Sequence, residues 1–378
     1  MMLRLMTLTM LLLMLAACGS DEPQRPATPA RRTILVYMVA TNSLGNNQRD
    51  LQDLAEMDLA VAGGALDGCR LLVYRVGPES ERPTLFEVKR DKRGQAVHTE
   101  LAAYDNQPGA SLTASRMREV VDDMLAMAPA SEYGLVLWSH GTGWARSITT
   151  RNQMPRRRDF GDDNGVHMTL TELAHALPKA TFEWIYADVC YMGCIEVAYE
   201  LRQHCRRLVA YPTEIPAQGM PYDQTLPLLC RRTADLTGAC RVTYELYNAL
   251  TDQNRTFTGA VVDCTQLDAL AELCHRIQAD AVPMPTLSGM QYYNINGSRF
   301  FYDFMQYYRT ICPQPLQSEL ETLYNNVVLY KAATPTIFNR VVIDPEHFSG
   351  LSTYIPSTSP GINDEYYNEL AWAKAVFD

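Results

Sequence analysis

The chain has 378 residues, enough for one large domain or two modest ones with a sizeable buried core. Hydrophobic residues make up 47% of it and charged residues 20%, which excludes a disordered polypeptide. A formal net charge of −10 argues against a general nucleic-acid binder and is compatible with basic substrates.

The first residues read as a targeting segment. Arg4 supplies a positive start, and Leu5 to Ala17 is apolar apart from threonines. That run is too short to span a bilayer comfortably and fits the apolar region of a signal peptide. It ends in Leu15-Ala16-Ala17-Cys18-Gly19, which resembles a bacterial lipobox. Residues 1–17 are therefore expected to be a lipoprotein signal peptide and Cys18 the lipidated residue; an ordinary secretory signal with an incidental cysteine is the alternative. Residues 18–32, rich in Pro, Arg, Ala and Asp, read as a lipidated tether. The acidic Ser20-Asp21-Glu22 resembles the tag that sends some lipoproteins to the outer face of the outer membrane. The expected location is the bacterial cell envelope, as an outer-membrane lipoprotein anchored to the membrane without crossing it.

Beyond the tether, strands and helices alternate. Thr33–Ala40 is a continuous apolar, β-branched run suited to a central parallel strand. Gln48–Ala62 carries Leu51, Leu54, Met57, Leu59 and Val61 as a helical stripe with acids between, closed by Gly63-Gly64. Cys69–Val76 is the next strand. Leu85–Val88 and Ala96–Leu101 suit a hairpin. A helix opens after Ser111 and runs over Leu112–Met127, and a strand follows that ends at His140.

Residues 141–168 show little periodicity, and a long loop inside a compact domain is usually functional. Thr169-Leu170-Thr171-Glu172 forms a capping box for a helix that stops at Pro178. A strand ends near Asp188, a helix covers Gly193–Gln203, and Leu208–Tyr211 is a short strand. Ala234–Leu250 and Gln266–Ala279 read as helices around a strand at Phe257–Val262. The pattern implies an α/β fold, a mostly parallel sheet flanked by helices on both faces, over residues 33–280. Residues 281–378 are either a C-terminal subdomain or late elements of the same domain.

Two cassettes carry the chemistry. The apolar run Leu135-Val136-Leu137-Trp138 delivers Ser139-His140-Gly141 onto a Gly-rich turn, and Trp184-Ile185-Tyr186-Ala187-Asp188 delivers Val189-Cys190 onto another. If the two strands are neighbours, His140 and Cys190 meet at the sheet edge where open α/β sheets place their sites. A thiol and an imidazole in hydrogen-bond reach make a nucleophile and its base. A cysteine just before a helix is also expected to have its thiolate stabilised by the helix N-terminus. The backbone N–H groups of Gly141 and Cys190 are the expected oxyanion hole. Either residue alone also suits a plain structural role. Cys194, four residues on, is expected one turn into the helix as a core residue. With Cys18 set apart, nine of the ten cysteines remain, an odd number with no compact disulfide framework.

These residues resemble the clostripain family of cysteine peptidases, within the caspase-like clan. The resemblance rests on His-Gly after the Leu-Val-Leu-Trp strand and on Asp188-Val189-Cys190-Tyr191-Met192 followed by Glu196-Val197-Ala198-Tyr199-Glu200-Leu201. Tyr37-Met38 with Asn42, Phe160-Gly161-Asp162-Asp163, Pro221-Tyr222-Asp223 and Gly350–Pro356 extend it over most of 33–360.

The resemblance implies a caspase-like fold and an endopeptidase cutting after arginine or lysine. It also implies a dyad of His140 as general base and acid with Cys190 as nucleophile. Asp188 is then assigned to the S1 pocket, where a carboxylate pairs bidentately with arginine and only as a point charge with lysine. The later pocket loop, Thr213 to Met220, departs from the acidic and Gly-rich pattern expected there, and Glu214 is the candidate second carboxylate. Some family members are zymogens that cut themselves between the dyad residues. In the loop 145–160, Arg146, Arg151, Arg156, Arg157 and Arg158 are the self-cleavage candidates.

No cofactor is expected. His204-Cys205 and Cys274-His275 lack the spacing of a zinc site. Calcium, which some family members need, is not indicated by any EF-hand-like loop, and Asp162 and Asp163 are the exposed candidates for it. Expected partners are proteins or peptides with basic residues, and the membrane through the anchor. The alternative is a catalytically silent surface-binding lipoprotein on the same scaffold; a thioredoxin-like oxidoreductase lacks its Cys-x-x-Cys.

Overall fold

The structure, a computed structural model, describes residues 29–145, 159–284, 286–294, 300–356 and 362–378. The signal segment, Cys18, and all five self-cleavage candidates, Arg146, Arg151, Arg156, Arg157 and Arg158, lie outside the described residues. Among the described residues no helix is long and apolar enough to cross a membrane.

In chain order the first half contains β1 (Ala30–Val39), α1 (Ser43–Asn46), α2 (Arg49–Ala62), β2 (Cys69–Val76), β3 (Thr84–Arg90), β4 (Ala96–Ala103), α3 (Ala114–Met127) and β5 (Ala130–Trp138). Then come β6 (Phe160–Asp163), β7 (Val166–Met168), α4 (Leu170–Ala176), β8 (Phe182–Asp188), α5 (Ile195–Leu201) and β9 (Cys205–Ala210). After them lie α6 (Tyr222–Leu229), α7 (Leu236–Asn248), β10 (Thr258–Asp263) and α8 (Leu267–Ala279). The last stretch holds β11 (Tyr302–Asp303), α9 (Phe304–Ile311), α10 (Gln317–Val327), β12 (Val328–Ala333), β13 (Thr336–Ile337), β14 (Val341–Val342), β15 (Ser352–Thr353), α11 (Ile362–Tyr367) and α12 (Ala371–Phe377).

One nine-stranded sheet organises the molecule, in the order β12-β10-β9-β8-β5-β1-β2-β3-β4. Its centre, β9-β8-β5-β1-β2, is parallel throughout. The hairpin β3–β4 continues it antiparallel on one side. The sequence pattern suggested a parallel strand at Phe257–Val262, but β10 runs antiparallel to β9. Two helices separate β10 from β9 instead of one, so the chain re-enters the sheet from the opposite end. Residues beyond 280 supply the edge strand β12.

Side chains alternate across the strands, so β1 feeds two cores. Ile34, Val36 and Met38 pack with residues of α2, α6 and α7 on one face, while Leu35, Tyr37 and Val39 join α3, α4, α5, α8, α9, α10 and α12 on the other. The parallel strands are apolar on both sides because both sides are covered.

Several expectations need correction. The tether does not reach residue 32, because Ala30–Arg32 already lie in β1. Arg32 is buried, and its guanidinium donates to Leu229 O at 2.8 Å and Arg231 O at 2.9 Å, tying the strand to the end of α6. The inward face of α2 is rotated from the leucine stripe: Leu59 is 67% exposed, whereas Asp50, Asp53, Met57, Ala60 and Val61 are buried. Asp50 goes inward because Arg75 of β2 meets it, Nε to Oδ2 at 2.8 Å. The helix expected to open after Ser111 begins at Ala114, capped by the Thr113 hydroxyl on Arg116 N–H. The capping box of Thr169 and Glu172 forms as expected at the start of α4. Asp163 is not exposed; it is buried, taking the Thr41 hydroxyl at 2.6 Å and Ser111 N–H at 3.1 Å.

Candidate active site

Trp138 at the end of β5 pairs in register with Asp188 at the end of β8. His140 and Cys190 each stand two residues past that pair, so neighbouring parallel strands bring them to the same sheet edge. Both line one cavity of about 370 Å³, with Leu44, Trp138 and Gly141 on the histidine side and Glu214, Ile215 and Gly219 on the other. Asp188 and Glu214, assigned from sequence to substrate recognition, line the same cavity.

The turns are held tightly. A Cβ on Gly141 would stand 2.3 Å from Val189 Cγ1, so only glycine lets the histidine turn lie against the cysteine turn. Tyr191, directly after Cys190, is held at φ 59°, where a non-glycine residue is strained. Its N–H donates to Thr213 O at 3.0 Å, and Gly193 N–H donates to Tyr211 O at 2.8 Å, so the cysteine turn is stitched to the segment leaving β9.

The helix after the cysteine differs from expectation. α5 starts at Ile195, with buried Cys194 at its N-cap rather than inside it. Cys190 therefore stands five residues before the first helical residue, too far for the helix N-terminus to stabilise a thiolate, since that effect is confined to the first turn. The Cys190 thiol is instead pushed up to about 12, chiefly by burial, with the negative charges of Glu214 and Asp188 adding to it. Cys190 keeps some solvent-exposed surface, and Ile215 N–H donates to its sulfur at 3.5 Å.

Asp188 forms the floor. It is buried and takes Met220 N–H at 3.2 Å on both oxygens and the Tyr222 hydroxyl at 3.3 Å. Burial raises it to about 7 against the opposing pull of those donors. Beneath it lies Asp53, unread in the sequence, which accepts the Trp138 indole N–H at 2.6 Å. Burial, with the nearby charge of Asp188, pushes Asp53 up to about 9. The signal that could have found Asp53 is its spacing with Asp50, Met57 and Ala60 on one helical face. Glu214 is raised by burial and accepts the Tyr191 hydroxyl at 3.3 Å.

The two histidines that stand beside cysteines face backbone carbonyls: His204 Nδ1 lies 3.3 Å from Pro178 O and His275 Nδ1 lies 3.1 Å from Val376 O. Among the described residues no three His, Cys, Asp or Glu side chains gather as a metal site would require.

Cys190, His140, Asp188 and Glu214 line one cavity, an arrangement compatible with a cysteine hydrolase. The sequence profile of the clostripain family matches residues 36–339, and the chain belongs to this family of cysteine peptidases. Among solved structures it is similar to a secreted C11 cysteine protease from Bacteroides thetaiotaomicron, "iotapain", at 27% identity and TM-score 0.80, over 92% of this chain and 99% of that one. The same kind of secreted protease in complex with an irreversible peptide inhibitor matches at 26% identity and TM-score 0.78, over 92% and 99% of the two chains. An inactive zymogen C11 protease from Parabacteroides distasonis matches at 28% identity and TM-score 0.79, over 94% of this chain and all of that one. No curated protein sequence matches the chain.

Proposed function

We propose that the protein is an endopeptidase that hydrolyses peptide bonds after arginine, and more weakly after lysine, through Cys190 and His140. The observation that carries this reading is the equal overhang of His140 and Cys190 past the Trp138–Asp188 register pair, above a cavity floored by Asp188. A buried carboxylate at the bottom of a cleft favours a cationic side chain, and arginine's planar fork suits it better than lysine's ammonium.

The thiol starts neutral, so its proton passes to His140 as sulfur attacks the carbonyl carbon. The oxyanion is received by the N–H groups of Gly141 and Cys190. Collapse expels the amine, which takes the proton from the imidazolium, and leaves a thioester. Water, deprotonated by His140, then releases the acid and restores the thiol.

The relative that carries an irreversible peptide inhibitor and the relative described as an inactive zymogen support peptide substrates and a made-inactive state for this chain as well. An arginine-directed site would also accept an arginine between residues 145 and 160 of its own chain, which motivates self-cleavage there. N-terminal sequencing of the purified chain checks it: a new terminus after Arg146, Arg151, Arg156, Arg157 or Arg158 in wild type, absent from Cys190→Ala. Anchoring through Cys18 is checked by the loss of lipid labelling in Cys18→Ala. The main test is a fluorogenic peptide panel varying the residue before the scissile bond. Turnover only with arginine and lysine, lost in both Cys190→Ala and His140→Ala, supports the reading; unchanged turnover in either variant overturns it.

A further inference from the structure

Ser43 stands 97 residues before the histidine, yet its hydroxyl Oγ lies 2.8 Å from His140 Nε2. It is carried by α1, a single turn placed between β1 and α2. We infer that Ser43 is a positioning residue for the reaction: it accepts the Nε2 proton, and so fixes the imidazole tautomer whose lone pair sits on Nδ1. This rests on the dyad reading above.

The placement of Ser43 is built rather than incidental. Asn42 immediately before it caps α1, its Oδ1 accepting Leu44 N–H at 2.9 Å. The Asn42 amide donates to Val39 O at 3.0 Å and Asp162 O at 2.7 Å, and reaches Ser139 Oγ at 3.4 Å. Those three partners are the end of β1, a residue inside β6 and the residue before the histidine. Gly161 N–H closes the set on His140 O at 2.8 Å. A Cβ on Gly45 would stand 1.8 Å from Ala40 O, so the turn bearing Ser43 is pressed directly onto the end of β1. Ser43 and His140 are thereby held on one frame, although the sequence separates them widely.

The proposed role of the ring as a base sets the direction we assign to the bond. A neutral imidazole carries one N–H, and a hydroxyl can give or take. In the proposed reaction the ring takes the Cys190 proton as sulfur attacks, so it begins as a neutral base. A hydroxyl accepting from Nε2–H leaves Nδ1 unprotonated for that task, and the same oxygen goes on accepting once the ring is imidazolium. It therefore favours the charged ring formed as sulfur attacks, which is the role a third group plays behind a catalytic histidine.

The test compares wild type, Ser43→Ala, Ser43→Thr and His140→Gln. In kcat, the basic side chain already occupies the pocket, so the acid limb reports the ring and not Asp188. Ser43→Ala is expected to lower kcat about five- to tenfold with little change in KM, and to move the acid limb to lower pH because imidazolium has lost its acceptor. Ser43→Thr, which keeps the hydroxyl, is expected to restore both. A kcat and acid limb unchanged in Ser43→Ala, or a Ser43→Thr enzyme as impaired as Ser43→Ala, overturns the assignment.

A readout without turnover separates this from the dyad itself. The ¹⁵N resonances of the His140 ring, identified by their loss in His140→Gln, are expected to show Nε2 protonated in wild type and both tautomers in Ser43→Ala. Identical ring signals in the two overturn the role of Ser43 whether or not the chain hydrolyses peptides. Full activity in His140→Gln, by contrast, overturns the dyad.

Discussion

The Asp188 carboxylate takes the Met220 N–H on both oxygens at 3.2 Å, and this bond folds the 213–220 segment over the floor of the cleft. This acid, buried among the described residues of the pocket, is raised by burial to about 7, so it is near half-ionised at neutral pH. Under the proposed specificity, a cationic substrate side chain pairs with its ionised form. Affinity for arginine substrates is therefore expected to rise with pH through about 7, as the carboxyl deprotonates. Steady-state KM between pH 5.5 and 8.5 checks this: KM for arginine falls as pH rises. Asp188→Asn is expected to lower kcat/KM on arginine about a hundredfold, the scale of removing one partner of a desolvated charge pair.

Gly219 holds that arrangement from the other side. Its φ of 62° disfavours other residues, and an added Cβ would stand 2.5 Å from Asp188 Oδ2. Gly219→Ala is expected to raise KM for arginine substrates about tenfold and to lower the melting temperature, measured by kinetics and calorimetry on the same preparation.

Stability should also follow pH. Asp53, Asp188 and Glu196 are buried carboxyls with folded values raised to about 9, 7 and 7, well above those of the unfolded chain. The folded state holds their protons more tightly, so their stabilising contribution is complete below pH ~4 and is lost as pH climbs through 7 to 9. From these groups, the melting temperature is expected to be lower at pH 8.5 than at pH 5.5. Asp53→Asn, which keeps an acceptor for the Trp138 indole, should flatten that slope and raise the melting temperature at pH 8.5.

The state of the thiol gives a further prediction. With Cys190 raised to about 12, its thiolate is scarce at neutral pH. Iodoacetamide should alkylate it more slowly at pH 7 than it alkylates free cysteine, and the rate should rise roughly tenfold per pH unit to pH 10. Fast alkylation that is flat between pH 6 and 8 would mean a standing thiolate–imidazolium pair instead.

That His140 and Cys190 share one cavity was legible because apolar runs lead straight to them, and a strand's length fixes where it ends. The parallel centre of the sheet was legible for the same reason: strands covered on both faces show as unbroken Val, Ile and Leu. What escaped was decided by partners distant in the chain. Asp50 and Asp53 sit among leucines that outnumber them on α2, and only Arg75 on β2 and the Trp138 indole make their burial tolerable. Ser43 carries no local signal at all, since its meaning lies in an imidazole 97 residues away. The thiol's raised value was likewise hidden, because it depends on the 214–219 segment packing against the sulfur, and nearness to a helix in sequence did not place Cys190 at a helix N-terminus.

The most direct test of a cysteine peptidase directed at basic residues is covalent trapping. The chain is incubated with a thiol-reactive peptide ketone ending in arginine, and with a matched one ending in leucine, and the adduct is mapped by mass spectrometry. A single adduct on Cys190 from the arginine peptide is expected, with little from the leucine peptide and strong slowing in His140→Ala. Equal labelling by both peptides, or an adduct on any other of the cysteines, would contradict it.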